Sequence, residues 1–282
     1  MERALQELMD HLYGRARQEV RIAIDEIRGH LQLDEGLFDA AIGLLATHGL
    51  IGMNLRRDAV LLSPAGKIAY EKGCTLEICL GTHYILSKYR SAIVHISVLD
   101  GEGDAAGATG FFCSDFPGFV ATARHVVDES RRLVDIRNES GTVIAAGDFD
   151  VRLAPHRDLD LALIRCAPPA GTNSLRIEWD ATVARELDEV IVAGYPHIAF
   201  HDSTLVFSRG EIASFPSLRT GERKSIMISR ITESGFSGGP VIDARGRVTG
   251  VVEQENIVED KRGTKAIFVT ATAAQHFSVF SL

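Results

Sequence analysis

The sequence predicts an α+β chain in two parts, a helix-rich region of about 80 residues followed by an all-β domain. In the first part, apolar residues recur at helical spacing. From Ser91 onward, about a dozen short apolar runs are separated by turn residues, a pattern typical of barrels or sandwiches. Residues 73–88 connect the parts and are not rich in proline or serine, so a long flexible linker is not expected.

The first part contains signals for four helices and two short strands. The first helix carries an apolar stripe, and a second is expected at residues 25–31. Asp34 is predicted to cap the third helix and Gly49 to end it. Two β-like runs follow at residues 50–53 and 59–62, and a last helical turn is predicted at 64–72. The stripe of the first helix consists of Leu5, Leu8, Met9, Leu12 and Tyr13.

Three helices and a two-stranded wing resemble a winged helix-turn-helix domain, and residues 47–51 and 61–71 resemble matching segments of that family. In many relatives the third helix enters the DNA major groove. Here residues 34–48 carry Asp34, Glu35 and Asp39 but no Lys or Arg, which disfavours contact with phosphates. Residues 1–80 are therefore expected to dock a regulatory partner or to self-associate, with DNA binding the less favoured alternative.

Composition limits the classes of function. A net charge of −8 and a pI of about 5.7 argue against coating of nucleic acid or of an anionic membrane. No apolar run reaches the roughly 18 residues of a membrane span, and the charged N-terminus lacks the apolar centre of a secretion signal. The cysteine spacing is not that of a zinc site, so we expect reduced cysteines in a cytoplasmic protein without metal or cofactor. The cysteines are Cys74, Cys79, Cys113 and Cys166.

A serine between glycines marks residues 233–240, Glu-Ser-Gly-Phe-Ser-Gly-Gly-Pro. Glycine permits a turn with positive φ, which leaves the Ser237 hydroxyl accessible and its neighbouring amides free to face an oxyanion. An ordinary Gly/Ser/Pro loop is the alternative, so a base and an orienting carboxylate must be found elsewhere.

Both groups precede the serine. His125 ends an apolar run and a small-residue turn, and an aspartate enters another apolar run at residues 158–165. Asp158 is an alternative to Asp160, but the alternation of Asp160 with Leu161 and Leu163 favours Asp160 at the strand entry.

These stretches resemble the chymotrypsin-fold (trypsin-like) serine proteases, closest to the bacterial Deg-type, high-temperature-requirement branch. The histidine segment is Val-Ala-Thr-Ala-Arg-His-Val-Val, the aspartate segment is Asp-Leu-Asp-Leu-Ala-Leu-Ile, and residues 235–251 resemble the nucleophile segment. Residues 192–196 and 208–212 resemble framework segments. The resemblance covers about residues 90–280 and implies a double β-barrel, so the expected domains are a winged-helix-like region at 1–80 and a protease at 81–282.

The resemblance implies a serine endopeptidase that works through an acyl-enzyme. Ser237 is the nucleophile, His125 the general base and acid, and Asp160 the residue that orients the histidine. The N–H groups of Gly235 and Ser237 form the oxyanion hole. The substrate is a protein.

Phe236 departs from the family pattern. Digestive relatives carry an aspartate there, which pairs with a new N-terminus, and Deg-type relatives usually carry asparagine. Activation by N-terminal cleavage is therefore not expected. We hypothesise that a conformational change, transmitted from residues 1–80, orders the Ser237 loop.

Specificity depends on a pocket that the resemblance assigns to two segments. Ile231 favours an apolar or small P1 side chain. Glu253 or Glu255 would select Arg or Lys if it points inward, and strand alternation would put both on one face. The pocket residues are Ile231, Thr232, Val252, Glu253, Glu255 and Asn256.

Two other classes of function remain open from the sequence. One is a DNA-binding regulator whose protease-like domain acts as a sensor. The other is a catalytically inactive scaffold that captures peptides.

Overall fold

The computed structural model describes residues 1–16, 21–128, 130–198, 203–216, 225–229, 235–259 and 265–280. For residue 16 and for residues 254–259 and 265–268 it describes the backbone alone. The chain divides into two compact units, Met1–Leu86 and Ser87–Leu282. Within the described ranges, no helix has the length and apolar character needed to cross a membrane.

The first unit combines helices with a three-stranded antiparallel sheet of order β1-β3-β2. Its last helix continues into the second unit and contains one non-helical residue, Gly81 at φ 69°. The elements are α1 (Glu2–Ala16), β1 (Ile22–Ala23), α2 (Ile24–Leu31), α3 (Glu35–Thr47), β2 (Ile51–Met53), β3 (Ala59–Leu62), α4 (Pro64–Glu71) and α5 (Thr75–Tyr89). The predicted connection at 73–88 is thus largely helical.

Local sequence explains where these helices begin. The Asp34 side chain accepts a hydrogen bond from the Leu37 N–H, which confirms the predicted cap of α3. Ser63 caps α4 by accepting from the Gly66 N–H. The predicted apolar stripe of α1 is buried at Leu5, Leu8, Met9 and Leu12, which share a core with α3.

The second unit begins with a seven-stranded antiparallel sheet of order β8-β7-β4-β5-β6-β10-β9. Its strands are β4 (Ile93–Leu99), β5 (Ala105–Phe112), β6 (Phe119–Thr122), β7 (Arg132–Arg137), β8 (Val143–Ala146), β9 (Val151–Leu153) and β10 (Ala162–Arg165). β6 and β10 are neighbours, with Thr122 opposite Ala162. The residues just after β6 and just before β10 therefore lie at the same end of the sheet.

The other sheet of this unit closes on itself. Its order is β11-β16-β15-β12-β13-β14-β17, and β17 also pairs with β16. The strands are β11 (Arg176–Ile177), β12 (Glu189–Gly194), β13 (Val206–Ser214), β14 (Ser225–Ile228), β15 (Pro240–Asp243), β16 (Arg247–Glu259) and β17 (Lys265–Ala273). Closure removes free sheet edges and encloses an apolar core. The two sheets fit the expected double β-barrel.

Candidate active site

Residues 235–239, which we call the serine turn, precede β15 and depend on glycine. Gly235 has φ +106° and Gly238 has φ +83°, values that other residues rarely adopt. A Cβ at Gly235 would lie 2.1 Å from the Tyr195 carbonyl oxygen, and one at Gly238 would lie 2.1 Å from Thr122 Oγ1. Both positions therefore require glycine for its backbone conformation and for its lack of a side chain.

Phe236 anchors the serine turn in the core of the closed barrel. Its side chain is 4% exposed and belongs to an apolar cluster with Val192, Val241 and Val252. A Cβ at Gly194 would lie 2.7 Å from the ring, so β12 approaches closely at this point. Apolar packing therefore holds the residue before Ser237 in place.

His125 and Asp160 are brought together by the neighbouring strands β6 and β10. His125 lies in a 3₁₀ turn, Arg124–Val126, that follows β6, and Asp160 lies just before β10. His125 Nδ1 and Asp160 Oδ2 are 2.6 Å apart, and the His125 backbone N–H donates to Asp160 Oδ1 at 2.9 Å. A carboxylate that accepts a hydrogen bond from Nδ1–H favours the histidine tautomer whose Nε2 is unprotonated, and this Nε2 can accept a proton. Asp158, the alternative aspartate, is exposed.

Ser237 Oγ donates a hydrogen bond to the backbone carbonyl of Glu253 at 3.1 Å. Among the described residues this carbonyl, and not His125, holds the hydroxyl, so a proton transfer from Ser237 to His125 would require the hydroxyl to rotate. Such catalytic hydrogen bonds often form only when substrate is bound.

Glu253 accepts the Ser237 hydrogen bond with its backbone carbonyl, and its carboxyl interacts electrostatically with Asp160 and His125. It is the extra residue at a β-bulge, because β16 pairs Val252 with Ala271 and then Gln254 with Thr270. Its carboxyl accepts a hydrogen bond from the Thr272 hydroxyl. Burial raises the pKa of this carboxyl and the charge of Asp160 raises it further, whereas hydrogen bonds from Thr272 and Thr270 and the nearby His125 oppose the rise.

The predicted pocket residues have different positions. Ile231 and Thr232 lie outside the described residues. The Val252 side chain is 1% exposed in the barrel core, where it clusters with Phe236, and its backbone bonds to Gly238 and Gly239 of the serine turn. Glu255 and Asn256 lie on β16, with only their backbones described. The bulge at Glu253 interrupts the regular alternation that would have put Glu253 and Glu255 on one face.

An open cleft of about 460 Å³ adjoins the His–Asp pair. All its lining residues except Leu153 are polar or charged, and they are Arg124, His125, Asp128, Ser130, Leu153, Arg157 and Asp160. In the part of the chain that the structure describes, no three His, Cys, Asp or Glu side chains are grouped as metal ligands.

Comparison with known proteins agrees with this architecture. The family model of the trypsin-like peptidase domain matches residues 108–251, half of the chain, and this segment contains His125, Asp160 and Ser237. The chain therefore belongs to the trypsin-like peptidase family.

Two curated proteins are similar to parts of the chain. The uncharacterized protein y4bJ of Sinorhizobium fredii is 33% identical over 153 residues, which is 54% of this chain. Serine protease HTRA1B of Danio rerio is 28% identical over 174 residues, which is 59% of this chain. The matched segments make up only 22% and 35% of those proteins.

Proposed function

We propose that this chain is a serine endopeptidase that cleaves protein substrates with Ser237, His125 and Asp160. The observation that carries the proposal is the two-point hydrogen bonding of Asp160 to the His125 ring and backbone. An aspartate held in this way fixes the histidine tautomer and stabilises the imidazolium that forms when the ring accepts a proton. The glycine-flanked Ser237 and the family membership support the same chemistry.

In the proposed mechanism, Ser237 Oγ attacks the scissile carbonyl carbon and His125 Nε2 takes the hydroxyl proton. The N–H groups of Gly235 and Ser237 stabilise the oxyanion. His125 then gives the proton to the leaving amine, which breaks the C–N bond and leaves an acyl-enzyme. Water attacks the ester with His125 as base, and the acid product and free Ser237 are released.

The decisive experiment is labelling with a fluorophosphonate probe. Wild type is expected to be labelled and to cleave a quenched peptide library, and Ser237→Ala is expected to do neither. Ser114→Ala is a matched control, since Ser114 Oγ likewise donates to a backbone carbonyl, that of Leu175, at 3.1 Å. Equal labelling of wild type and Ser237→Ala would contradict the assignment of the nucleophile. No labelling of the wild type would favour an inactive scaffold.

We propose that the first unit regulates the protease or docks a partner through a winged-helix-like fold. DNA is disfavoured as its ligand, because α3 contains no basic residue that could contact a phosphate. The nearby Arg28 is already paired with Asp39 of α3 at 2.9 Å. The test compares peptide cleavage by the full chain and by a chain without residues 1–86, after circular dichroism has shown that the shorter chain folds. Equal activity per folded molecule would contradict a regulatory role.

Finer features of the proposal rest on sequence. Similarity to HTRA1B of Danio rerio supports placement near the Deg-type branch, and similarity to y4bJ of Sinorhizobium fredii supports a bacterial source. Ile231 supports an apolar or small P1 residue, which cleavage-site profiling would test. Four free, buried cysteines support a cytoplasmic location.

A further inference from the structure

Thr109, on β5, binds the serine turn at two points. It is fully buried, its backbone N–H donates to the Ser237 carbonyl at 2.9 Å, and its hydroxyl donates to the Gly235 carbonyl at 2.6 Å. β5 belongs to the first sheet of the unit and the serine turn adjoins the second. Thr109 therefore joins the serine turn, through its backbone and its side chain, to the sheet whose strands β6 and β10 position His125 and Asp160.

The remaining polar groups of Thr109 are also satisfied. Its hydroxyl accepts a hydrogen bond from the Tyr195 N–H at 2.9 Å, and its carbonyl accepts one from the Thr122 hydroxyl at 2.7 Å. Tyr195 follows β12, and its own hydroxyl donates to the Ile93 carbonyl at 3.2 Å. Thr122 ends β6, three residues before His125. Thr109 is thus at the centre of a network that reaches both sides of the site.

This arrangement restrains the Ser237 N–H, one of the two amides of the proposed oxyanion hole. A peptide unit is planar, so a hydrogen bond to a carbonyl fixes the plane of the whole unit. The Gly235 and Ser237 carbonyls belong to the peptide planes on either side of the one that carries the Ser237 N–H. With both flanking planes fixed, this N–H has few orientations left. Glycine has the greatest conformational freedom of any residue, so a turn with glycine at both ends needs such restraints most.

We propose that Thr109 is a positioning residue, whose hydroxyl helps to hold the Ser237 N–H of the serine turn in its catalytic orientation. The proposal rests on the proposed peptidase function. It also accounts for Phe236: apolar packing anchors the side chain of the turn, but only directional hydrogen bonds can set the orientation of its peptide planes. In this chain they come from β5.

The test is a set of three substitutions in the full-length protein. Thr109→Val keeps the shape but leaves the Gly235 carbonyl and the Tyr195 N–H buried without this partner. Thr109→Ser retains the hydroxyl. Thr249→Val is the control, because Thr249 is also a buried threonine whose hydroxyl donates to a backbone carbonyl, that of Val241, within the closed barrel.

We expect Thr109→Val to lower kcat by about 10²-fold, close to the loss of one oxyanion donor. KM should change by less than about threefold, because a residue that acts only on the transition state leaves ground-state binding intact. Inhibition by a peptide aldehyde, whose hemiacetal oxygen occupies the oxyanion hole, should weaken in parallel. Thr109→Ser and Thr249→Val should both keep nearly the wild-type kcat. Equal losses in Thr109→Val and Thr249→Val, or failure of Thr109→Ser to retain activity, would overturn the proposal.

Amide hydrogen exchange gives a readout that does not depend on activity. In Thr109→Val, a peptide that covers residues 235–239 should exchange faster, since the N–H groups of Gly238 and Gly239 are bonded within and around the turn. In Thr249→Val its exchange should stay unchanged. If Thr109→Val exchanges faster but the wild type is not labelled by the fluorophosphonate probe, the restraint by Thr109 is supported and the peptidase function is refuted. Unchanged exchange in Thr109→Val would refute the restraint whatever the activity.

Discussion

Replacement of Phe236 by alanine tests whether apolar packing anchors the serine turn. The ring is 4% exposed among Val192, Val241 and Val252 and would leave a cavity. A buried phenylalanine covers about 150–250 Å². At about 25 cal/mol per Å² this area corresponds to roughly 4–6 kcal/mol, and measured Phe→Ala losses are about 3–5 kcal/mol. We therefore expect Phe236→Ala to lower the free energy of unfolding of the second unit by about 3–5 kcal/mol.

The assay uses the single tryptophan of the chain. Trp179 belongs to the second unit, packs edge-on against Phe116 and donates to Asp115, so its fluorescence reports the unfolding of that unit. Phe236→Leu is the graded control and should cost less, because leucine fills part of the cavity. Activity of Phe236→Ala should also fall under conditions where the fluorescence shows the unit to be folded. A loss below about 1 kcal/mol with unchanged kcat would refute the reasoning, since it is the size expected of a surface site.

Three further predictions concern single residues. Asp160→Asn should lower kcat by about 10⁴-fold in peptide hydrolysis, because an amide favours the wrong tautomer of His125; a loss below tenfold would argue against its role. The raised pKa of Glu253 means that the native state holds this proton more tightly than the unfolded chain. Its contribution to stability is therefore full below the ordinary value of 4.5 and is lost as the pH rises through the native pKa. The free energy of unfolding of the wild type, relative to that of Glu253→Gln, should therefore be highest at low pH and fall as the pH rises. A difference that does not change with pH would contradict this prediction. Leu187 is 77% exposed and has φ 70°, a left-handed conformation that is strained for any residue with a Cβ. Leu187→Gly should therefore raise the free energy of unfolding, followed by Trp179 fluorescence, by up to about 1 kcal/mol, whereas Leu187→Ala should not.

Local signals in the sequence were sufficient for much of the fold. The Asp34 cap depends on groups three residues apart, and the apolar stripe of α1 depends on helical spacing alone. The segments around His125, Asp160 and Ser237 indicated the trypsin-like family, whose model matches the residues 108–251 that contain all three. The contact of His125 with Asp160 was expected for the same reason. The cap, the stripe and each of the three segments are encoded within a short stretch of chain, whereas the contact was expected from the resemblance to the family.

The sequence alone could not show how the serine turn is held. Thr109 lies in a run of small residues, and nothing local relates it to Gly235, 126 positions later. The bulge that places Glu253 beside the His–Asp pair is a property of the pairing between β16 and β17. Phe236, whose departure from the family pattern led to the hypothesis that residues 1–80 order the loop, is buried in the closed barrel.

The sequence by itself determined which chemical groups this protein has and in what order, because each motif is a local pattern. The tertiary structure decided which groups meet, because hydrogen bonds and packing act over a few ångströms between residues that are far apart in the chain. For the serine turn, this means that Gly235 and Ser237 were readable from the sequence, whereas their restraint by Thr109 and Phe236 was visible only once the two sheets were formed.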